Sequence, residues 1–211
     1  MKTVIAANGV LEPNARLVTL WRDADLRVAA NGGAINARQH LQLAPHIVIG
    51  DLDSLDDETA RWLNAARTEK IQHPCDKDQT DLELAIELAQ ARGTDEIVIL
   101  AALGGRPDQM LANVLLLTRF PGMKIADAQS EMWVVQNETE IVGEISDTVS
   151  LIPLSASVEG ITTRGLAYPL NGESLALGST RGISNELIER RAIVQVESGM
   201  LLVIHLFSNH Q

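Results

Sequence analysis

Cysteine is nearly absent from this chain, which carries only Cys75 among its 211 residues. A single thiol cannot form a disulfide within one chain, so nothing in the composition asks for an oxidising compartment. Long apolar runs are also missing, because Met200 to Phe207 falls well short of the roughly 20 residues that span a bilayer. The amino terminus reaches the polar Asn8 too early for the apolar region of a signal peptide. We therefore expect a cytoplasmic protein without a membrane anchor.

Basic residues are few: 17 Lys and Arg stand against 28 Asp and Glu, for a formal charge of -11. Aromatic residues make up only 3% of the sequence. A nucleic-acid surface needs a basic stripe interleaved with aromatic side chains, so we expect no nucleic-acid partner. An acidic protein that handles a small phosphate ester needs a cation between its carboxylates and the ligand. The acidic motifs are therefore candidate metal ligands.

The first half of the chain alternates short β-branched runs with helical patterns, whereas the second half, from about Ile125, consists almost entirely of short alternating runs. This contrast predicts two domains. Residues 1–126 are expected to form a Rossmann-like, three-layer α/β domain with a mainly parallel sheet, and residues 127–211 an all-β sandwich. The predicted strands of the first domain are Thr3 to Ala7, Leu26 to Ala30, His46 to Ile49 and Glu96 to Ala101.

Short alternating runs also predict the strands of the second domain. They are Met132 to Val135, Thr148 to Pro153, Ala192 to Val196 and Met200 to Phe207. Glu197-Ser198-Gly199 between the last two is typical of a short hairpin loop, so we expect these strands to pair with each other.

Two carboxylates, Asp51 and Asp53, directly follow the predicted strand that ends at Ile49. Ligands of open α/β sheets bind at the carboxyl ends of the strands, and a D-x-D pair can hold Mg²⁺ together with water and phosphate oxygens. A solvated turn with Ser54 as the N-cap of the next helix explains the same pattern equally well. Alone, the pair supports either interpretation.

A second acidic cluster runs from Asp76 to Asp81, and Thr80 begins a capping-box pattern for the helix that follows. Acidic residues complement a helix dipole at this end, so a purely structural role is open for Asp78 and Asp81. A lysine between carboxylates, as at Lys77, favours a phosphate contact over a cap.

Two further loops place paired glycines after a predicted strand: Gly104-Gly105-Arg106 and Asn31-Gly32-Gly33. Glycines let the backbone approach a phosphate closely, a helix N-terminus offers free N–H groups, and Arg106 can grip phosphate with two hydrogen bonds. Ordinary strand-to-helix turns also contain Gly-Gly. However, four such loops at strand ends would meet at one edge of the sheet, which predicts a shared site for metal and phosphate.

Four motifs, GDLDS, KDQTD, LGGRPD and TRGISNE, occur along the chain, with GLAYPL at Gly165 to Leu170 as a further match. Together they resemble the thiamine pyrophosphokinase family over most of the chain. The resemblance implies an N-terminal α/β nucleotide-binding catalytic domain, a C-terminal thiamine-binding β-sandwich, and a homodimer with active sites between subunits. It also implies Mg²⁺-dependent transfer of pyrophosphate from ATP to the hydroxyl of thiamine, with release of AMP.

The resemblance further implies roles for the matching residues. The expected metal ligands are Asp51, Asp53 and Asp81, and the expected catalytic residues are these three with Asp108. The expected nucleotide and phosphate contacts are Asn31, Gly32, Gly33, Lys77, Asp78, Thr80, Gly104, Gly105 and Arg106. Asp108 would also lie near the attacking hydroxyl, while Ser184 and Asn185 would contact the thiamine pyrimidine.

Two positions depart from the family's pattern: Asn31 stands where the family usually has Asp, and Gln109 where His commonly follows the Asp of the Gly-Gly-Arg motif. Both keep a hydrogen-bonding group but lose an ionisable one. Two other functions stay open: a pyrophosphokinase for another alcohol, such as a hydroxymethylpterin, and a nucleotide-sensing module without catalysis. If the reaction needs a general base, Asp81 and Asp108 are the candidates.

Overall fold

The computed structural model describes residues 1–120 and 122–208 of the chain. They form two compact units, Met1–Ala128 and a second that begins at Gln129, and each is described by itself. Residues 209–211, which the sequence assigns to the second domain, lie outside the described residues. Within the described ranges, no helix is long and apolar enough to cross a membrane.

Parallel strands form the sheet of the first unit. They are Lys2–Ala6 (β1), Leu26–Ala30 (β2), Ile47–Gly50 (β3), Glu69–Gln72 (β4), Glu96–Leu100 (β5) and Met123–Ala126 (β6). Their order across the sheet is β6-β5-β1-β2-β3-β4. The chain therefore adds strands first on one side of β1 and then, with β5, on the other. This reversal leaves a crevice at the carboxyl ends of β1 and β5, where α/β proteins bind ligands.

Helices connect these strands. They are Ala15–Arg22 (α1), Gly33–Asn36 (α2), Asp57–Ala65 (α3), Asp81–Ala91 (α4) and Pro107–Leu116 (α5), with a π-helical turn at Ala37–Leu41 directly after α2. Side chains of Asn14, Asp56 and Thr80 accept N–H groups in the first turns of α1, α3 and α4. Pro107 begins α5, where its missing donor costs no intrahelical bond. Local sequence thus decides where these helices begin.

Apolar side chains of the sheet and helices build the core of the first unit. Val4 of β1 packs in one cluster with Leu17 and Trp21 of α1. Trp21 is fully buried, and its indole N–H donates to the Leu43 carbonyl at 2.7 Å. α4 packs against β1, β2 and β3. The strands β1, β3 and β5 are buried along nearly their whole length, as in a sheet covered on both faces. The predicted α/β class is confirmed.

Antiparallel strands build the second unit. They are Ser130–Val135 (β7), Glu138–Val142 (β8), Thr148–Pro153 (β9), Ser157–Arg164 (β10), Asn171–Ala176 (β11), Asn185–Glu186 (β12), Arg191–Gln195 (β13) and Leu201–Leu206 (β14). One sheet has the order β12-β9-β14-β7 and the other β11-β10-β13-β8. A single apolar cluster joins both sheets, with Leu151 and Val203 from the first and Ile161 and Val194 from the second. This arrangement confirms the predicted β-sandwich.

The predicted hairpin between the last two strands is wrong. β13 pairs with β10 and β8, whereas β14 pairs with β7 and β9 in the other sheet. The connection Glu197-Ser198-Gly199 therefore carries the chain from one sheet to the other. Gly199 has a φ of 96°, and a Cβ there would lie 2.7 Å from the Ser157 carbonyl oxygen. Glycine at this position allows the tight connection between the two sheets. Such a connection has the same local composition as a hairpin loop, which explains the wrong prediction.

A buried polar cluster in the second unit centres on Asp147. Its carboxylate accepts the backbone N–H of Ser208 at 2.7 Å and of Glu144 at 2.9 Å, and lies 2.8 Å from Nε2 of His205. Asp147 and His205 are both buried. Burial raises the pKa of the Asp147 carboxyl, but the hydrogen bonds outweigh burial and lower the pKa to about 2. The folded state therefore favours the ionised carboxylate.

We expect Asp147→Asn to lower the free energy of unfolding by about 2 kcal/mol at neutral pH, because a pKa lowered to about 2 reflects that much preference for the ionised form. Since the folded pKa lies below the unfolded one, this stabilisation is present above about pH 4 and is lost as the pH falls towards 2. Urea denaturation followed by circular dichroism measures it, with Glu189→Gln at an exposed position as the charge-matched control. Equal midpoints for the two variants would contradict the prediction.

Candidate functional site

A cavity of about 380 Å³ opens at the carboxyl ends of β1 and β5. The order of the strands reverses at this point of the sheet. The lining comes from the segments that follow β1, β2 and β5, from the loop between β4 and α4, and from the N-terminal parts of α4 and α5. It includes Asn31, Lys77, Asp81 and Arg106. Its size and polar lining suit a small charged ligand.

The side-chain amide of Asn31 lies among three carboxylates. Its Nδ2 is 2.7 Å from Oδ1 of Asp51, 3.2 Å from Oδ1 of Asp53 and 3.1 Å from Oδ2 of Asp81. Asn31 follows β2, the first two carboxylates follow β3, and Asp81 is the first residue of α4. The structure therefore brings the three expected metal ligands together, and it directs the Asn31 amide to them.

Lys77 approaches the same carboxylates from the loop that precedes α4. Its Nζ lies 3.1 Å from Oδ1 of Asp81 and 3.9 Å from Oδ2 of Asp51, and its side chain is 15% exposed. Burial lowers the pKa of Lys77, but the hydrogen bond and charge of Asp81 outweigh it and raise the pKa above its ordinary value. Lys77 is therefore a fixed positive charge beside the carboxylates.

Cys75 adds a thiol to this cluster. Ligand atoms of Cys75, Asp51 and Asp53 lie within 4.8 Å of one another. The hydrogen bond and charge of Asp51 raise the pKa of the Cys75 thiol, which keeps it protonated and makes it a poor nucleophile. In contrast, the hydrogen bond from Asn31 is the main cause that lowers the pKa of Asp53, so this carboxylate is ionised at neutral pH.

Arg106 and Asp108 bind each other at the start of α5. The guanidinium donates from Nη2 to Oδ2 at 2.6 Å and from Nε to Oδ1 at 3.1 Å, and both side chains are exposed. The hydrogen bonds from Arg106 lower the pKa of Asp108. Arg106 lines the cavity, whereas Asp108 is not part of the lining. A carboxylate held in this way is a weak general base, and the paired guanidinium must turn to reach a phosphate.

The paired glycines have two different explanations. Gly104 and Gly105 line the cavity and have φ values of 74° and 70°, so glycine gives this turn its left-handed backbone beside the ligand space. Gly32 and Gly33 are buried and lie outside the lining. A Cβ on Gly33 would lie 1.9 Å from the Ala6 carbonyl oxygen. Close packing of α2 against β1 therefore accounts for Gly33, and the Asn8 side chain, 2.4 Å from a Cβ on Gly32, accounts for Gly32, both without a ligand.

Two expected phosphate contacts near α4 differ in their placement. Thr80 lines the cavity, while its hydroxyl oxygen accepts the backbone N–H of Glu83 at 3.1 Å as the N-cap. Asp78 is exposed and lies outside the lining. A role of Asp78 towards phosphate stays a prediction.

Ser184 and Asn185 belong to the second unit. The Asn185 side chain is buried, donates to the Tyr168 carbonyl at 2.7 Å and accepts the Tyr168 N–H at 3.0 Å. Its amide also accepts the Glu186 N–H at 2.9 Å, so it is committed to fixing the backbone. Ser184 is exposed with a φ of 59°. The contact of both residues with thiamine stays a prediction, and Asn185 holds a loop in any case.

Several polar lining residues were not among the site residues that the sequence analysis assigned. They are Asn8, Cys75, Gln79, Gln109 and Asn113. Asn8 follows β1, so the rule applied to the other strand ends also applies to it. Asn113 interrupts an apolar stretch of α5 and donates to the Ala102 carbonyl at 2.9 Å. A buried amide in an otherwise apolar helix was a signal of a polar neighbour.

The arrangement can hold a hard divalent cation and a chain of phosphates. Asp81 lines the cavity, whereas Asp51 and Asp53 lie outside the lining and meet Asp81 at the Asn31 amide. All three offer carboxylate oxygens, the ligand type that Mg²⁺ prefers. Lys77 and Arg106 offer positive charge, and residues in the first turns of α4 and α5 line the cavity. These features together fit a charged phosphate ester bound with a metal.

Comparisons with known proteins cover both units. A family described as "Thiamin pyrophosphokinase, catalytic domain" matches residues 17–127, and "Thiamin pyrophosphokinase, vitamin B1 binding domain" matches residues 136–201. Thiamine pyrophosphokinase of Bacillus subtilis strain 168 is 34% identical over 170 residues, which cover 77% of this chain and 78% of that protein.

Solved structures show the same similarity over the whole chain. The crystal structure of thiamine pyrophosphokinase from Bacillus subtilis has a TM-score of 0.87 at 29% identity and covers 99% of this chain and 100% of its own. The crystal structure of thiamin pyrophosphokinase from Geobacillus thermodenitrificans has a TM-score of 0.86 at 27% identity and covers 100% of this chain and 99% of its own.

Proposed function

This chain belongs to the thiamine pyrophosphokinase family, and from that premise we propose that its carboxyl-end site transfers pyrophosphate from Mg²⁺-bound ATP to the hydroxyl of thiamine, releasing AMP. The observation that carries the proposal is the convergence of Asp51, Asp53 and Asp81 beside Lys77 and the cavity. Both halves of the chain match the family, so the nucleotide and the acceptor each have a matching domain.

The carboxylates are the residues that would hold Mg²⁺. Bound there, the ion would supply positive charge to the phosphate oxygens and offset the developing negative charge of the reaction. Asp53 supports this role because its pKa is lowered, so it is ionised and ready to bind a cation at neutral pH. With Lys77 at 3.1 Å from Asp81, the three carboxylates keep a net negative charge that attracts a divalent ion.

Lys77 and Arg106 are the proposed phosphate contacts of the chain itself. Lys77 is a partly buried, protonated amine at the edge of the carboxylates, where it can contact a phosphate oxygen. Arg106 is exposed beside the cavity and can exchange its carboxylate partner for a phosphate of similar geometry. Phosphoryl transfer depends mainly on such positioning and charge neutralisation.

In the proposed reaction, the hydroxyl oxygen of thiamine forms a bond to the β-phosphorus of ATP. The bond between that phosphorus and the oxygen bridging to the α-phosphate breaks, and AMP leaves with the bridging oxygen. The hydroxyl proton passes to solvent or to a carboxylate. Asp108 is held by Arg106 with a lowered pKa, which makes it a weak base, and Asp81 lies 3.1 Å from the Lys77 ammonium. A loose transition state places little demand on a general base.

A homodimer and a cytoplasmic location are also part of the proposal. Exposed apolar side chains on one side of α5, Leu111 at 59% and Leu115 at 47%, support a partner surface on the first unit. Sedimentation equilibrium of the purified protein measures the state, and the mass of a single chain at micromolar concentration would contradict the dimer.

Acceptor comparison tests the proposed function directly. The purified protein is incubated with Mg²⁺ and ATP, together with thiamine or with a hydroxymethylpterin, and the nucleotide products are quantified by anion-exchange chromatography. We expect AMP to appear with thiamine and in an amount equal to the thiamine diphosphate formed. AMP only with the pterin, or ADP with either alcohol, would contradict the proposal. ATP binding without turnover of any alcohol would indicate a sensor.

A further inference from the structure

We propose that Asn31 is a positioning residue of the metal site: its side-chain amide holds Asp51, Asp53 and Asp81 in a converged arrangement before any cation binds. The inference rests on the proposed function in that it takes these carboxylates as the metal ligands. It gives Asn31 a role towards the carboxylates, whereas the sequence suggests a contact with phosphate.

One amide group serves several acceptors. Nδ2 of Asn31 carries two hydrogens, yet four oxygens lie within hydrogen-bond distance: those of Asp51, Asp53 and Asp81 at 2.7, 3.2 and 3.1 Å, and Oγ of Ser54 at 3.4 Å. Nδ2 therefore sits where the three carboxylates meet. Among the ion pairs of the described residues, those of Lys77 reach Asp81 and Asp51 but not Asp53. Asn31 is the donor that contacts all three.

The orientation of the amide follows from charge. Asn31 is 6% exposed, and its Oδ1 is buried without a hydrogen-bond partner among the described residues. The opposite orientation would place a carbonyl oxygen against three carboxylates, which repel it. The free energy gained from the hydrogen bonds of Nδ2 therefore exceeds the cost of leaving Oδ1 without a partner among the described residues. The contact of Nδ2 with the carboxylates therefore determines the orientation of the amide.

The backbone fixes Asn31 to the segments that carry these ligands. Its N–H donates to the Ile49 carbonyl at 2.8 Å, at the end of the strand that leads to Asp51. Its φ of 46° lies in the left-handed region that asparagine tolerates better than most residues. Gly50 allows Asp81 and Asn31 to approach the backbone closely, since a Cβ at this position would lie 2.9 Å from Cγ of Asp81 and 3.0 Å from Cβ of Asn31. The amide is thus set in place by the fold.

This role predicts opposite effects of two substitutions on metal affinity. Asn31→Gly removes the donor without backbone strain, because glycine also accepts a positive φ. The carboxylates then repel one another without a shared partner, and the affinity for a divalent cation falls by about 10-fold or more, as for other groups that orient metal ligands. Asn31→Asp keeps the shape but adds a fourth carboxylate. We expect it to bind the cation more tightly and to melt at a lower temperature without the cation.

The test measures binding of Mn²⁺ to the full chain by electron paramagnetic resonance, in the absence of nucleotide. Asn36→Ala is the control, because the Asn36 amide donates to the carbonyls of Ala7 and Gly9 and, within residues 1–120 and 122–208, to no carboxylate. Circular dichroism and melting curves with and without Mn²⁺ accompany each variant. The wild type and the control are expected to bind alike, Asn31→Gly more weakly and Asn31→Asp more tightly.

The outcomes separate this inference from the proposed function. Mn²⁺ affinity of Asn31→Gly within twofold of wild type, or equal weakening in Asn31→Gly and Asn31→Asp, would overturn the positioning role while leaving the metal site in place. If the wild type binds no Mn²⁺, the metal site fails and the inference fails with it. If Asn31→Gly does not fold, the Mn²⁺ affinity of the isosteric Asn31→Asp decides. Tighter binding than wild type supports the positioning role, and weaker or unchanged binding overturns it.

Discussion

Asp51→Asn and Asp53→Asn are each expected to reduce kcat/KM by on the order of 10³-fold, because each removes a charged ligand from the oxygen cluster that would hold Mg²⁺ against the phosphates. An asparagine has nearly the same shape but carries no charge, so packing changes little. The Asp51 side chain is 14% exposed and already accepts a hydrogen bond from the Asn31 amide. Replacing Asp51 therefore removes a metal ligand and also weakens one of the hydrogen bonds that hold the three carboxylates together.

AMP formation from ATP and thiamine measures the loss, and circular dichroism verifies that the fold is intact. Asp57→Asn is the matched control, since Asp57 is an exposed carboxylate in the first turn of α3 and loses the same charge. We expect the control to keep its activity within about twofold, as for most surface substitutions. Near-normal activity in both Asp51→Asn and Asp53→Asn would show that the carboxylates do not hold a required metal.

Lys77→Gln is expected to reduce kcat/KM by about 100-fold, since it removes the fixed positive charge between the carboxylates and the phosphate path. In the structure Lys77 lies 3.1 Å from Asp81, and its pKa is raised by that carboxylate. Its loss leaves a more negative cluster, which repels the phosphates of ATP unless metal replaces the charge. Part of the effect is therefore expected in the KM for ATP.

Initial rates at varied ATP concentration separate the effects on KM and kcat. The control is Lys70→Gln, because Lys70 is an exposed lysine that contacts Asn64 at 2.7 Å and lies outside the cavity lining. A loss in Lys77→Gln no larger than in this control would contradict a role of Lys77 at the phosphates.

The sequence predicted four of the six described strands of the parallel sheet, because these strands are short, mainly apolar runs, whereas Glu69–Gln72 and Met123–Ala126 were not among the predicted strands. Leu26–Ala30 has the predicted bounds, and Glu96–Leu100 differs from its prediction by one residue. The sandwich was predicted as a class, but its pairing was not, since pairing depends on distant residues. The strands that were missed are Glu138–Val142, Ser157–Arg164, Asn171–Ala176 and Asn185–Glu186. In Ser157–Arg164 and Asn171–Ala176 most positions are not buried, so these strands lack an apolar run. Short loops cannot distinguish a hairpin from a crossing between sheets.

Positions at strand ends were easier to predict than the contacts of their side chains. Asp51, Asp53 and Asp81 could be placed together because parallel strands end at one edge. The bidentate pairing of Arg106 with Asp108 depends on side-chain rotamers and on the turn after β5, which no spacing rule describes. The same holds for Asn31, whose departure from the family's Asp is visible in the sequence while its contact with three carboxylates is not.

The carboxylates that follow β3 and begin α4 are expected to hold the metal of a nucleotide bound in the cavity. Crystals grown with Mn²⁺ and α,β-methylene ATP test it most directly, because the methylene replaces the oxygen whose bond to the β-phosphorus breaks. We predict an anomalous scattering peak among Asp51, Asp53 and Asp81, with the triphosphate between that peak and Lys77. A Mn²⁺ peak elsewhere, or nucleotide bound away from the carboxyl ends of β1 and β5, would contradict the account.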